Sequence, residues 1–111
     1  MISVVLLGAG NVATHLFKAF NKANEITVNQ WYNRSIKNIE RYKNIVDITD
    51  DITILKDADI YILAVSDDAI SDLSKQLPFK NRLVVHTSGS AGLYDIDKKH
   101  IVFTGTINGD A

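Results

Sequence analysis

The residues with the clearest chemical potential form a glycine pattern near the amino terminus. Residues 8–13, GAGNVA, fit the spacing G-x-G-x-x-A. The first glycine allows a sharp turn, and the second, which has no side chain, lets an anionic group approach the main chain. A helix beginning here would add free N–H groups and a favourable dipole. The pattern predicts a dinucleotide diphosphate at Gly8, Gly10, Asn11 and Val12; the alternative is a purely structural glycine turn.

A second polar group, Asn33, Arg34 and Ser35, directly follows a strand-like segment. Sites for NAD usually place Asp or Glu here, about 20 residues past the glycines, to bind the ribose 2′-hydroxyl. This chain has Arg34, whose guanidinium can pair with a 2′-phosphate that a carboxylate would repel. We therefore predict NADP as the cofactor, with these three residues around its 2′-phosphate. The alternative is a solvated arginine beside an ordinary helix cap.

Residues 86–90, HTSGS, combine a histidine, three hydroxyls and a glycine. Such a group at the mouth of a cleft could orient a carbonyl or imine substrate, or the carboxamide of the cofactor, and His86 could act as proton donor in a reduction. His86 and Ser88 are therefore the candidate catalytic residues. The competing interpretation is a histidine that is hydrogen-bonded within a sheet, followed by a turn and a cap.

Val65, Ser66 and Asp67 follow an almost wholly apolar segment, and we predict that they lie along the nicotinamide half of the cofactor. The carboxylate of Asp67 fits a helix start better than a catalytic role. Trp31 is expected in the core rather than against the adenine. The histidines lack close spacing and attendant carboxylates, and the chain has no cysteine, so no metal site is predicted.

Positioning these groups requires strands that alternate with helices. Strand-like segments occur at residues 2–7, 25–32, 45–48, 58–65, 83–87 and 100–104. Helix-like segments occur at residues 12–23, 35–43, 52–55 and 67–77, with a short one within 90–99. This alternation predicts an α/β fold of the Rossmann type, with a doubly wound, mainly parallel sheet of about six strands and helices on both faces. Ligands bind such sheets outside the carboxyl ends of the strands, which is where the polar groups fall.

The composition limits the class of protein. The chain has 111 residues, 46% of them hydrophobic, and a net charge of −1. One domain spanning residues 1–111 is expected, with a small-molecule substrate and neither nucleic acid nor membrane as a partner. The amino terminus does not resemble a signal peptide, so we expect a soluble, cytoplasmic protein.

Four segments, VVLLGAGNVATHL, WYNRS, DADIYILAVSDDAI and VVHTSGS, occur in this order. Over about residues 1–104 the chain resembles the N-terminal domain of bacterial oxidoreductases related to pyrroline-5-carboxylate reductase and the NADP-dependent deazaflavin oxidoreductases. The resemblance implies a Rossmann domain that binds NADP. It also implies the same cofactor residues: Gly8, Gly10, Asn11, Val12, Asn33, Arg34, Ser35, Val65, Ser66 and Asp67, with His86 and Ser88 nearby.

The chain departs from this family at its end. Members continue into a helical C-terminal domain that commonly forms the dimer and closes over the substrate, whereas this sequence stops at Ala111. We therefore expect the cofactor domain of an oxidoreductase that transfers hydride between nicotinamide and a small carbonyl or imine compound. The alternative is a non-catalytic nucleotide-sensing or protein-interaction module. An apolar face uncovered by the absent domain would favour a homo-oligomer.

Overall fold

A computed structural model describes residues 1–87, 97 and 101–102. This part of the chain forms a six-stranded sheet in which every pairing is parallel, with the spatial order β3-β2-β1-β4-β5-β6. The strands are β1 (Ile2–Leu7), β2 (Ile26–Tyr32), β3 (Ile48–Thr49), β4 (Ile60–Leu63), β5 (Leu83–His86) and β6 (Ile101–Val102). The predicted α/β Rossmann-type fold is confirmed.

β1 lies in the interior of the sheet, between β2 and β4, and is buried on both faces. Val4 and Leu6 enter one apolar cluster with Trp31, and Val5 and Leu7 enter the other with Tyr61. Alternate residues of a strand point to opposite faces, so a continuous apolar run suits a strand covered on both sides. The register pairs Leu7 with Tyr32 of β2 and with Leu63 of β4.

Strand order reverses at β1, since the chain first builds outward through β2 and β3 and then crosses back to β4. The carboxyl ends of β1 and β4 thus form the topological switch point at which open α/β sheets bind ligands.

Two helices cover the sheet on either side of this point. Helix α1 (Asn11–Lys22) buries Ala13, Leu16 and Phe17 against the sheet, as its apolar spacing predicts. Helix α2 (Asp67–Gln76) buries Ile70 and Ser74 and ends before Pro78. No helix in the described ranges is long and apolar enough to cross a membrane.

The helix predicted between Ser35 and Lys43 is wrong in type. The chain forms two 3₁₀ segments, Ile36–Asn38 and Glu40–Tyr42, separated by Ile39 with a φ of −123°. Ile39 is fully buried, and its φ lies outside the helical range, so the helical backbone is interrupted at this residue. Ser35 does precede the first segment, but its side chain makes no capping hydrogen bond.

Other boundaries also shift. The third strand begins at Ile48 rather than at residue 45, because the amides of Ile45 and Val46 still donate to the carbonyl of Tyr42 in a turn. A 3₁₀ turn, Ile52–Ile54, lies where a brief helical turn is predicted, and the Asp51 carboxylate accepts a hydrogen bond from the amide of Thr53. The short helix predicted within residues 90–99 lies outside the described residues, apart from residue 97.

Candidate functional site

An open cleft of about 900 Å³ lies over the carboxyl ends of β1, β2 and β4, and most of the predicted cofactor residues line it. They are Gly8, Gly10, Asn11, Val12, Asn33, Arg34, Val65, Ser66 and Asp67. Ser35 does not line this cleft, although it lies one residue beyond Arg34. The structure thus brings together three separate segments of the sequence at the switch point.

The two glycines of the loop have different structural roles. Gly8 has a φ of +120°, and a Cβ placed on it would overlap the backbone carbonyl of Ala64. Gly10 is exposed, and a Cβ there would meet nothing within 4 Å. Gly8 therefore serves close packing of the loop on β4, while the open space at Gly10 lets a ligand approach the main chain.

The amino terminus of α1 opens at this loop without a competing anion. Its first turn contains no acidic residue, and Gly10 caps it without a side-chain hydrogen bond. The amide of Thr14 donates to the carbonyl of Gly10 at 3.0 Å and forms the first hydrogen bond of the helix. The amides of Asn11, Val12 and Ala13 come before it and therefore have no acceptor within the helix. Such orphan amides and the helix dipole favour a bound phosphate.

Arg34 supplies the cationic wall of the cleft. Its side chain is exposed and forms no ion pair within the part of the chain that the structure describes. The turn that carries it is held on both sides: the Asn33 amide nitrogen Nδ2 donates to the carbonyl of Ser35 at 2.8 Å, and the Asn33 backbone amide donates to the carbonyl of Thr49 at 3.1 Å. A guanidinium on an anchored turn is available to an anionic ligand.

Tyr32 borders the same cleft at the end of β2 and is almost fully buried. Burial raises the pKa of its hydroxyl, the Arg34 charge lowers it, and the carboxylates of Asp50 and Asp51 raise it. The net pKa lies above the ordinary value, so this hydroxyl stays neutral at physiological pH and adds no charge beside Arg34.

The segment after β4 forms the opposite wall. Ser66 precedes α2, and the amide of Ala69 donates to its carbonyl at 2.9 Å. Asp67 and Asp68 lie in the first turn of α2, where negative charge complements the helix dipole. This position agrees with the helix-start interpretation of Asp67.

The two predicted catalytic residues, His86 and Ser88, are not among the described residues that line the cleft. His86 ends β5, pairs in register with Leu63 and is only 6% exposed. It is not among the residues that line the cleft, whereas its neighbour Thr87 is. Ser88 lies outside the described residues. Their roles remain predictions.

Residues of α2 extend the cleft beyond the predicted set. Ala69, Asp72, Leu73 and Gln76 line it at helical spacing, so they share one face of the helix. The apolar spacing of this helix predicts Ala69 and Leu73 on the same buried side as Ile70, and the structure places both at the cleft. The sequence does not show the direction in which this face of α2 packs against the sheet.

These features suit a dinucleotide better than a metal ion. The loop offers space at Gly10, the helix start offers amides, and Arg34 offers a positive charge. Within the ranges described, no group of three or more His, Asp or Glu residues could hold a metal ion. The arrangement can bind a diphosphate at the loop and a further phosphate near Arg34.

Comparison with known families adds to this geometry. A family model described as NADP oxidoreductase, coenzyme F420-dependent, matches residues 3–89. This range includes the glycine loop, Arg34 and the start of α2. A search of curated protein sequences gives no significant match.

Solved structures share the fold. A candidate NADP oxidoreductase from Bacteroides fragilis is 28% identical, with a TM-score of 0.76 over 93% of this chain and 43% of that one. Prephenate dehydrogenase from A. aeolicus, solved with NAD+, is 16% identical, with a TM-score of 0.71 over 92% of this chain and 41% of that one. Biliverdin reductase from Synechocystis, solved with NADP+, is 13% identical, with a TM-score of 0.66 over 81% of this chain and 30% of that one. The chain therefore spans less than half the length of these structures.

Proposed function

The chain belongs to the coenzyme F420-dependent NADP oxidoreductase family and carries its NAD(P)-binding Rossmann domain, and from this premise we propose that it binds NADP(H) in preference to NAD(H). We propose further that it serves an oxidoreductase that transfers hydride between nicotinamide and a small carbonyl or imine compound. Solved neighbours with NAD+ and with NADP+ share the fold, so the preference rests on this chain's own residues.

The observation that carries the preference for NADP is the position of Arg34. Its exposed guanidinium lines the cleft, and residues 32–35, YNRS, contain no carboxylate that could bind a ribose 2′-hydroxyl in its place. A 2′-phosphate is an anion that a guanidinium can bind through two hydrogen bonds. NAD lacks this group, so the pairing with a 2′-phosphate distinguishes the two dinucleotides.

Each part of the cofactor has a proposed set of residues. The amides of Asn11 and Val12 hold the diphosphate, with Gly10 leaving room for it. Asn33, Arg34 and Ser35 surround the 2′-phosphate, with Ser35 one residue beyond the cleft wall. Val65, Ser66 and Asp67 border the nicotinamide half.

When bound, the cofactor supplies the hydride, and the protein contributes binding, orientation and exclusion of water. His86 and Ser88 are the proposed groups for orienting the carbonyl or imine and supplying its proton. The support for His86 is its place at the carboxyl end of β5, one residue before Thr87 on the cleft wall.

The test of the proposed function is a pair of calorimetric titrations of the purified chain with NADPH and with NADH at one ionic strength. We expect NADPH to bind at least about tenfold more tightly, a difference of about 1.4 kcal/mol. Equal affinity for the two dinucleotides would remove the NADP assignment. Absence of binding by both would remove the dinucleotide assignment.

The catalytic proposal needs a separate variant. His86→Gln keeps a hydrogen-bonding side chain but removes the titratable ring. We expect NADPH affinity to change by less than about twofold, while NADPH oxidation with a panel of small aldehydes, ketones and imines falls by about 100-fold, within the range for general acid catalysis. Unchanged oxidation rates would show that His86 donates no proton.

A further inference from the structure

The indole of Trp31 is hydrogen-bonded to the first glycine of the loop. Its Nε1–H donates to the carbonyl oxygen of Gly8 at 2.6 Å, and Trp31 is fully buried. The amide of Gly8 in turn donates to the carbonyl of Tyr32 at 2.9 Å. Both polar groups of Gly8 are therefore bonded to the last two residues of β2, the strand that leads into Arg34.

Two aromatic side chains fix the indole in place. The ring of Phe17, from α1, stacks on Trp31 with centroids 4.7 Å apart and an interplanar angle of 27°. The ring of Tyr42 stacks on it at 5.0 Å and 30°. The rings of Phe17 and Tyr42 also lie 5.2 Å apart, so the three rings form a compact triangle. An indole packed in this way in a close-packed core cannot rotate freely, so the direction of its N–H is fixed.

The hydrogen bond has a consequence for the neighbouring amide. A trans peptide unit is planar, so the carbonyl of Gly8 and the N–H of Ala9 point in opposite directions. Because the indole holds the carbonyl toward the core, the Ala9 N–H points away from the core. Gly8 lacks a side chain and has a φ of +120°, so its own backbone preferences restrict this peptide plane weakly.

We propose that Trp31 is a positioning residue for dinucleotide binding, and that its indole N–H fixes the peptide plane at which the phosphate-binding loop begins. This inference rests on the proposed function of the loop. Packing alone would require only the fused ring, which an isosteric ring without the N–H would also supply. The N–H adds a directional bond to the carbonyl of the peptide plane at which the loop begins.

The chain contains a single tryptophan, which permits a substitution confined to the N–H. Production in a tryptophan auxotroph with β-(3-benzothienyl)alanine replaces the indole nitrogen with sulfur and keeps the fused ring. Trp31→Phe is a second variant, which keeps an aromatic ring in the stack. Val84→Ala is the matched control, since it removes buried apolar volume from the cluster on the other face of the sheet and leaves the ring stack and the N–H in place.

Affinity for NADPH and for NADH is measured by calorimetry, and folding by thermal melting. We expect both Trp31 variants to bind each dinucleotide about tenfold more weakly, by the same factor for both, because the diphosphate is common to them. We expect Val84→Ala to lower the melting temperature while its affinities stay within about twofold of the original chain. A structural role alone would reduce melting temperature and affinity together in all three proteins.

The indole N–H of the unsubstituted chain gives an independent readout in a ¹⁵N–¹H spectrum. We expect one indole signal that exchanges slowly with water and shifts when NADPH is added. Exchange as fast as that of a free indole would overturn the proposal. So would a benzothienyl chain that binds NADPH as tightly as the original.

Failure of the proposed function can be distinguished from failure of the role proposed for Trp31. If the unsubstituted chain binds neither dinucleotide, the proposed function fails and this inference fails with it. If the unsubstituted chain binds NADPH and the benzothienyl chain binds it equally well, only the role of Trp31 is overturned.

Discussion

Gly8 packs against the carbonyl group of Ala64, and a Cβ added to Gly8 would lie within 3.0 Å of that oxygen. The two residues directly follow β1 and β4, and the amide of Ala64 donates to the carbonyl of Leu7 at 2.8 Å. This contact joins the two central strands, β1 and β4, at the point where the strand order reverses. The glycine loop is therefore part of the sheet's packing as well as the edge of a cleft.

The two glycines of the loop should respond differently to alanine. Gly8→Ala forces a side chain into an occupied space at positive φ, so we expect a loss of about 2–4 kcal/mol in unfolding free energy. Gly10→Ala adds a methyl group where nothing lies within 4 Å, so its stability should change by less than about 1 kcal/mol. Denaturant unfolding measures both effects.

The same pair separates folding from binding. We expect Gly10→Ala to bind NADPH about tenfold more weakly, because its methyl group occupies the approach to the main chain. A Gly10→Ala protein with normal stability and normal affinity would mean that the diphosphate does not approach this residue.

The fold could be predicted from the sequence where a segment is buried on both faces or where its apolar residues recur with a strict period. β1 and β4 are apolar runs covered on both faces, and α1 repeats its apolar residues at helical spacing, so each has one plausible conformation. The segment after Ser35 has a half-buried Ile36 and a buried Ile39, at a spacing that suits a helix. This spacing does not distinguish a continuous helix from two 3₁₀ segments separated by Ile39.

The candidate site was predictable where the backbone determines it. Gly8, Gly10 and Arg34 follow strands whose carboxyl ends must meet at one edge of the sheet. The contribution of α2 was not predicted, because a helix face can be read from the sequence while its direction depends on tertiary packing. Trp31 was correctly expected in the core, but its N–H bond to Gly8 requires the loop's conformation.

Asn33 offers a test of the charge at the end of β2. Asn33→Asp removes the side-chain donor to the carbonyl of Ser35 and places a carboxylate beside the proposed 2′-phosphate. Because like charges repel and a carboxylate can accept from a ribose hydroxyl, we expect the NADPH-to-NADH affinity ratio to fall by about tenfold. Asn44→Asp, which adds the same charge at an exposed position away from the cleft, is the control. Equal ratios in the two variants would place the 2′-phosphate elsewhere.

Asp59 provides a pH-dependent test of the contact between β1 and the residue before β4, at the amino ends of these strands. Its carboxylate accepts hydrogen bonds from the amide and the hydroxyl of Ser3 at 2.9 and 3.1 Å, and these bonds hold the pKa of Asp59 below its ordinary value of 3.8. A depressed pKa in the folded state stabilises the protein above the unfolded-state value, and this contribution is lost as the pH falls through the folded-state value.

We therefore expect Asp59→Asn to melt at a lower temperature than the original chain at pH 7. The gap should narrow as the pH is lowered below about 4. Glu40→Gln, at an exposed carboxylate outside this pair, should show no such convergence. Melting curves at several pH values measure the effect, and a constant gap across them would contradict a role for the Asp59 charge.

The central claim is that Arg34 selects the 2′-phosphate, and four dissociation constants test it: NADPH and NADH, each with the original chain and with Arg34→Ala. Arg41→Ala is the matched control, because Arg41 is also exposed but lies over the ring of Tyr42, away from the cleft. We expect the original chain and Arg41→Ala to favour NADPH by at least about tenfold, and Arg34→Ala to bind the two dinucleotides with nearly equal affinity. An affinity ratio that is unchanged in Arg34→Ala would contradict the claim.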